Sequence, residues 1–180
     1  RRRRKQQNKA LIWIAAAAAV VLIGLLCLLL IPGEPELPKA HDPARGPLRA
    51  LTVGSYTRQG ESMVVDTSYI AVQYPYAFSD LISIEAIDQG NQKALEFSAK
   101  IAGQSRRLYT LWFNGKDGEV IGAYDLNDGE KPVVVTMAFY TPDVQLQGDD
   151  RITYFATQET VNDVLTAMKK DKNFTPYQGV

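Results

Sequence analysis

The sequence predicts an α+β fold: an N-terminal transmembrane helix, then an antiparallel β-sheet domain of about six strands, a meander packed by a C-terminal α-helix. Three observations predict it. Residues 10–31 contain no charged side chain. The middle of the chain alternates apolar and polar residues with the period of two that a half-buried strand requires. Near the C-terminus, residues 149–170 carry apolar side chains at helical spacing between an acidic start and a basic end.

The 20 basic and 20 acidic side chains of the 180 residues cancel, and the cancellation hides an asymmetry. Arg1 to Arg4, Lys5 and Lys9 put six positive charges in the first nine residues, so the remainder carries a balancing negative excess. Arg1 is not a methionine, so the basic region is expected to extend further upstream. The 22 residues from Ala10 to Ile31 form a helix of about 33 Å, enough for a hydrocarbon core of about 30 Å. A cleaved signal peptide has a shorter apolar region ending at a small-x-small site, whereas this one runs through Leu28, Leu29, Leu30 and Ile31 into Pro32. Leu26 before Cys27 also lacks the small residue of a lipid-attachment signal.

The basic cluster precedes the span, and only Glu34 and Glu36 follow it before Leu37. The positive-inside rule therefore places residues 1–9 in the cytoplasm as a basic tail and the C-terminal domain outside the cell, in a single pass through the cell membrane. The arginines also suit contact with anionic lipid. Nucleic acid is excluded as their partner because no aromatic or structured element accompanies the run. Residues 32–47 hold five of the nine prolines and read as a stiff tether reaching at most about 50 Å. His41, the only histidine, lies in that tether as a solvated residue. Cys27, the only cysteine, lies in the span, so the domain at 48–180 holds together without a disulfide. That is the economy of a Gram-positive external domain rather than of an animal secreted one.

Within the domain, YIAVQY (69–74) and LISIEAI (81–87) read as strands joined by a turn around Pro75. ALEFSAKI (94–101) alternates Leu95, Phe97, Ala99 and Ile101 with Glu96, Ser98 and Lys100. LYTLWF (108–113) and EVIGAY (119–124) flank residues 114–118, whose glycines fit a hairpin connection. After a second turn at Asn127, Asp128 and Gly129 comes PVVVTMAFY (132–140), which completes a three-strand meander. LYTLWF and PVVVTMAFY are apolar on both faces, so they are expected at the sheet centre with the C-terminal helix as cover. On that helix Tyr154, Val161, Val164, Leu165 and Met168 share a face, with Asp149 and Asp150 as candidate caps. Ile152 and Phe155 point elsewhere, so either the first turn is buried all round or the helix starts nearer Thr157.

No motif for catalysis stands out. Without a cysteine or histidine in the domain, Cys-His and Ser-His-Asp mechanisms each lack a part. Ser62-Met63 resembles the Ser-Met pair of membrane-bound signal peptidases, yet Val64 and Val65 follow where that family has a proline-containing continuation. A membrane-anchored hydrolase using a Ser-Lys or carboxylate site is the alternative to a binding module, and a sensor or accessory subunit of a membrane complex is a third. Asp125, Asn127, Asp128, Gly129 and Glu130 have the wrong register for a calcium loop. No metal and no cofactor are expected. The candidate ligand-binding residues are Tyr74, Tyr76 and Phe78, aromatics around Pro75 that bury much area at little entropic cost.

The run TSYIAVQYPYAFSDLISIEAID, followed by LYTLWFNGKDGEVIGAY and a C-terminal helix, resembles extracytoplasmic domains tethered to the membrane of Gram-positive bacteria. It is also similar to the opening of PsbP and Mog1-like domains, where a strand ending in Tyr-Pro precedes an aromatic. The resemblance covers residues 67–170 and transfers no functional residue. It implies an antiparallel sheet flanked by helices and a binding or envelope-assembly role. The expected partners are the lipid bilayer and another envelope or membrane protein.

Overall fold

Every β-rich run predicted above forms a strand, and three further strands join them, dividing the domain between two antiparallel sheets. The structure is a computed structural model that describes residues 48–115, 117–126, 131–142 and 146–177. The basic tail at 1–9, the predicted span at 10–31, the tether at 32–47 and the turn at 127–130 lie outside the described residues. Among the described residues no helix is long and apolar enough to cross a membrane.

The first sheet has the order β1 (Val53–Gln59), β2 (Ser62–Thr67), β3 (Ala71–Pro75). Val65 and Val72 are directly paired and fully buried, while Asp66 and Ala71 beside them face solvent, the alternation a one-sided sheet requires. β1 is exposed almost along its length, which is why apolar periodicity did not reveal it. A 3₁₀ turn at Tyr76–Phe78 then leads into the second sheet. The turn around Pro75 therefore connects two sheets, and YIAVQY and LISIEAI are not partners.

The second sheet has the order β4 (Ile82–Gln89), β5 (Gln92–Ile101), β6 (Gln104–Phe113), β8 (Val133–Phe139), β7 (Glu119–Tyr124), β9 (Phe174–Pro176). β4, β5 and β6 form a meander, but the next three strands do not. β8 inserts between β6 and β7, so the predicted hairpin at 114–118 is a crossing instead. Phe113 pairs with Val135 and Glu119 with Met137, so β7 starts slightly back along β8 from where β6 ends. A short loop suffices because little distance has to be retraced.

Thr136 Oγ1 donates to the Asp117 carbonyl at 2.6 Å and holds the crossing loop against β8. Gly115 sits so close that a Cβ there would lie 2.3 Å from Trp112 Cβ and 2.9 Å from Thr136 Oγ1. The loop thus covers the Trp112–Thr136 side of the central strands, the side left open by the helix expected to do so. Glycines suited to a hairpin equally suit a chain pressed against a neighbouring strand, and the local pattern does not separate the two.

The opposite face of this sheet supplies the core: Ile84, Leu95, Phe97, Tyr109, Leu111, Phe113, Val135 and Met137 form one cluster with Val65, Val72 and Tyr74 of the first sheet. Rings interlock there, with Phe97 stacked on Tyr109 at 4.5 Å and Tyr69 edge-on to Phe113 at 5.0 Å. Leu48 and Leu51 bring the start of the described chain into the same core.

Two helical segments complete it, α1 (Gly148–Gln158) and α2 (Val161–Lys170). Tyr154, Val161, Val164 and Met168 are buried, and Leu165 packs at the margin. Neither alternative for Ile152 and Phe155 holds: the helix starts at Gly148 and leaves them 67% and 44% exposed. Asp149 and Asp150 are not caps either, since the N-cap is Gln147 and makes no side-chain cap bond. They lie in the first turn, where their charge complements the helix dipole.

Candidate functional site

The three aromatics around Pro75 do not form one surface. Tyr74 lies 1% exposed among the core side chains. Its hydroxyl has no hydrogen-bond partner, and burial, with a smaller contribution from Tyr56, pushes its pKa up to about 12. Tyr76 lies on the 3₁₀ turn with the Arg58 guanidinium 3.9 Å from its ring centroid, so one ring face is already occupied. Phe78 packs half-buried against the core. The serines considered for hydrolysis have other partners: Ser62 Oγ accepts from Gln73 Nε2 at 2.7 Å and Ser55 Oγ donates to Asp66 at 3.3 Å. Lys93, buried on β5, pairs with Asp88. Among the described residues no cluster of His, Cys, Asp and Glu is placed to hold a metal ion.

A different place combines concavity with unsatisfied polarity. A β-bulge on β6 creates it: Phe97 pairs with Tyr109 and Ser98 with Arg107, leaving Leu108 as the extra residue. Successive strand side chains alternate faces, so one inserted residue moves everything before it to the other side. Arg107 thereby joins Glu96 and Ser98 on the outer face, away from the core position that unbroken alternation from Tyr109 would assign it. Arg106 falls on the face of Ala99.

β8 stops pairing with β6 at Phe139, one further bond running from the Tyr140 N–H to the Leu108 carbonyl at 3.0 Å. The chain then departs through Thr141 and Pro142, and a notch of about 130 Å³ opens beside the start of β6, which pairs there with β5 alone, lined by Ser105, Arg106, Arg107, Tyr140, Thr141 and Pro142. Its walls are braced from beneath. The buried Tyr154 hydroxyl bonds the carbonyls of Arg107 (2.9 Å) and Tyr140 (2.6 Å), and Gln158 Nε2 donates to those of Leu108 (2.9 Å) and Tyr140 (2.8 Å).

The two arginines that line this notch are in different states. Arg107 lies over the Tyr140 ring at 4.4 Å and reaches Glu96 at 3.8 Å, and Thr110 Oγ1 donates to the Tyr140 hydroxyl at 3.1 Å. Arg106 makes one side-chain bond, from Nη2 to Gln104 Oε1 at 3.0 Å, while its Nε is buried without a partner. An unpaired buried donor costs about 1–3 kcal/mol, and more when charged. The notch is thus bordered by two positively charged residues, one engaged with Tyr140 and Glu96 and the other carrying a buried Nε without a partner. A second hollow, about 290 Å³ between β2, β3 and α2, is lined by Val64, Ala71, Val72, Gln73, Ala167, Lys170 and Asp171 and has no such orphan.

The site was not legible beforehand. Ser105, Arg106 and Arg107 precede LYTLWF in the chain, and only the pairing register reveals the inserted residue that re-aims them. No known protein family, curated protein or solved structure matches the chain.

Proposed function

We propose that this chain is a single-pass membrane protein that presents a binding or envelope-assembly module outside the cell, without catalytic activity of its own. Residues 10–31 form the transmembrane helix, 1–9 the cytoplasmic tail, 32–47 the tether, and the two-sheet domain follows from residue 48. The observation that carries the reading is the uncharged 22-residue run with six positive charges before it and only Glu34 and Glu36 between it and Leu37.

Two features of the domain support binding over hydrolysis. The serines weighed for a Ser-Lys mechanism are engaged with Gln73 and Asp66. The braced end of β6, by contrast, carries a concave notch lined by Ser105, Arg106, Arg107, Tyr140, Thr141 and Pro142, a polar surface suited to contact with a partner. The partners on this reading are the bilayer itself and an envelope or membrane protein.

The test is fractionation of cells expressing the full chain. The protein is expected in the membrane pellet after an alkaline carbonate wash, soluble only in detergent, and digested by protease added to intact cells. Recovery from the medium as a product cut near Ile31 would overturn the anchored reading.

A further inference from the structure

We propose that the open stretch of β6 from Gln104 to Arg107 takes up an acidic, extended segment of a partner protein as an added strand, in the lane that β8 vacates. The hydrogen-bonding phase of the sheet carries it. Ala102 and Gly103, with φ of 51° and 75°, form a two-residue turn between β5 and β6, and the pair that closes it, Ile101 and Gln104, exchanges main-chain bonds. Bonded and non-bonded pairs alternate along an antiparallel ladder. Gln104 and Arg106 therefore turn their N–H and C=O groups towards β5, and Ser105 and Arg107 turn theirs to the other side.

On that other side β8 has already left. Its last pair with β6 is Phe139 with Tyr109, and its last bond runs from Tyr140 to Leu108. The Tyr154 hydroxyl reaches the Arg107 carbonyl at 2.9 Å from the same side, in keeping with that direction. The Ser105 N–H, the Ser105 C=O and the Arg107 N–H find no partner among the described residues. Both residues are exposed and both line the notch, so the lane is reached from solvent. An extended peptide running antiparallel to β6 matches it. One peptide residue exchanges two bonds with Ser105, and another, two positions away, accepts from the Arg107 N–H.

Charge selects among extended segments. Gln104 to Arg107 carry two positive charges and no negative one, and Glu96 on β5 offsets part of Arg107. Arg106 lies on the face of Ala99 and Arg107 on the face of Ser98. A strand likewise sends successive side chains to opposite faces. Two consecutive acidic residues in the added strand thus each share a face with one arginine, and the two guanidinium groups have no need to converge.

The proposal rests on the reading of the domain as a binding module, whose partner it describes, but not on where the anchor lies. The full chain, ²H,¹⁵N-labelled in dodecyl maltoside micelles, is titrated with a capped peptide, Thr-Val-Asp-Glu-Val-Thr. One control peptide has lysines in place of the acidic pair. The other is N-methylated throughout, which keeps the charges and removes the main-chain donors. The expected result is a saturable shift and slowed solvent exchange of the Ser105 and Arg107 amides with the acidic peptide, and a response weaker by about tenfold or more with each control.

Ser105→Pro deletes one of the three open groups, and that N–H takes no part in the ladder to β5. The variant should weaken binding about tenfold while the β5 amides stay unchanged. Arg106→Gln should weaken it by about two- to fivefold. An equal response to the lysine peptide would overturn the acidic assignment, and an equal response to the N-methylated peptide would overturn strand addition. Absence of any saturable shift at Ser105 and Arg107, or binding undiminished in both variants, would overturn the site itself. The same shifts on concentrating the chain without peptide would give the lane to a second copy and overturn the assignment to a partner. None of these outcomes bears on whether the chain stays in the membrane pellet, so the two readings fail separately.

Discussion

The Tyr56 hydroxyl on β1 accepts from the Ile84 backbone N–H at 3.3 Å and donates to the Ile84 carbonyl at 3.4 Å. Ile84 lies on β4, an edge strand paired only with β5, so these two groups point away from the sheet and one side chain satisfies both. An open edge is a template for pairing with other chains, and here the neighbouring sheet blocks it without adding a strand. The bonds are long, so Tyr56→Phe should cost only about 0.5–1 kcal/mol. Its clearer signature is local: the Ile84 amide should exchange with solvent faster in the variant, while amides of β6 keep their protection.

Gly122 makes a sharper prediction about packing. A Cβ there would stand 2.4 Å from the Thr175 carbonyl oxygen and 2.6 Å from Phe174 Cζ, on the strand that closes the sheet. Backbone cannot give way as a flexible side chain can, so Gly122→Ala should cost about 1–3 kcal/mol by overpacking. β9 should detach first, seen as loss of protection at the Tyr177 amide, which bonds the Ile121 carbonyl. Gly60→Ala is the comparison: it has φ of +62° but open space around it, so its cost should stay near 1 kcal/mol.

Three buried tyrosines give the domain an alkaline limit. Burial raises the pKa of Tyr109 and, together with the Asp171 hydrogen bond, that of Tyr124, while Tyr74 is pushed up to about 12. A group whose folded pKa lies above its unfolded value of about 10 holds its proton more tightly when folded. Its contribution is complete below pH 10 and is lost as pH rises through the folded pKa. Denaturant titrations at increasing pH should show stability falling from about pH 10 upward. In Tyr74→Phe the fall should be shallower. That variant should also be at least as stable as the parent near neutral pH, because it removes a buried hydroxyl with no partner.

At the β4–β5 hairpin, Lys93 is buried to 3% exposure and its ammonium reaches the more exposed Asp88. The Lys93 hydrogen bond, helped by the Gly90 N–H, holds the Asp88 carboxyl below the usual range. Stability from this pair is present above the ordinary aspartate pKa and is lost as pH falls through the depressed value. Asp88→Asn should lower the melting temperature by stranding a buried ammonium. Lys93→Met placed on the same background should recover most of the loss, and thermal melts of the two variants against the parent check this.

Several core elements were readable before the structure. Leu95, Phe97, Ala99 and Ile101 keep their alternation, and Tyr154, Val164 and Met168 bury the helix face that their spacing implies. Periodicity reports what one segment buries, and these segments bury a great deal. It reports nothing about which strand lies beside which, so β8 inserting between β6 and β7 was invisible in a loop as turn-like as Asn114 to Gly118. β1 escaped because its side chains stay exposed, and β9 because it has three residues and ends in Pro176. The notch escaped for the same reason as the strand order: the bulge at Leu108 exists only as a register between two strands.

The side of the membrane on which the two-sheet domain resides can be read from the accessibility of a single thiol. Cys27 is the only native cysteine and falls in the proposed span, and Ile152 is 67% exposed on α1, so Ile152→Cys provides one accessible thiol. Intact cells are treated with a membrane-impermeant maleimide. Labelling of the Ile152→Cys chain at the same level before and after permeabilisation is the predicted result; labelling only after permeabilisation would contradict it.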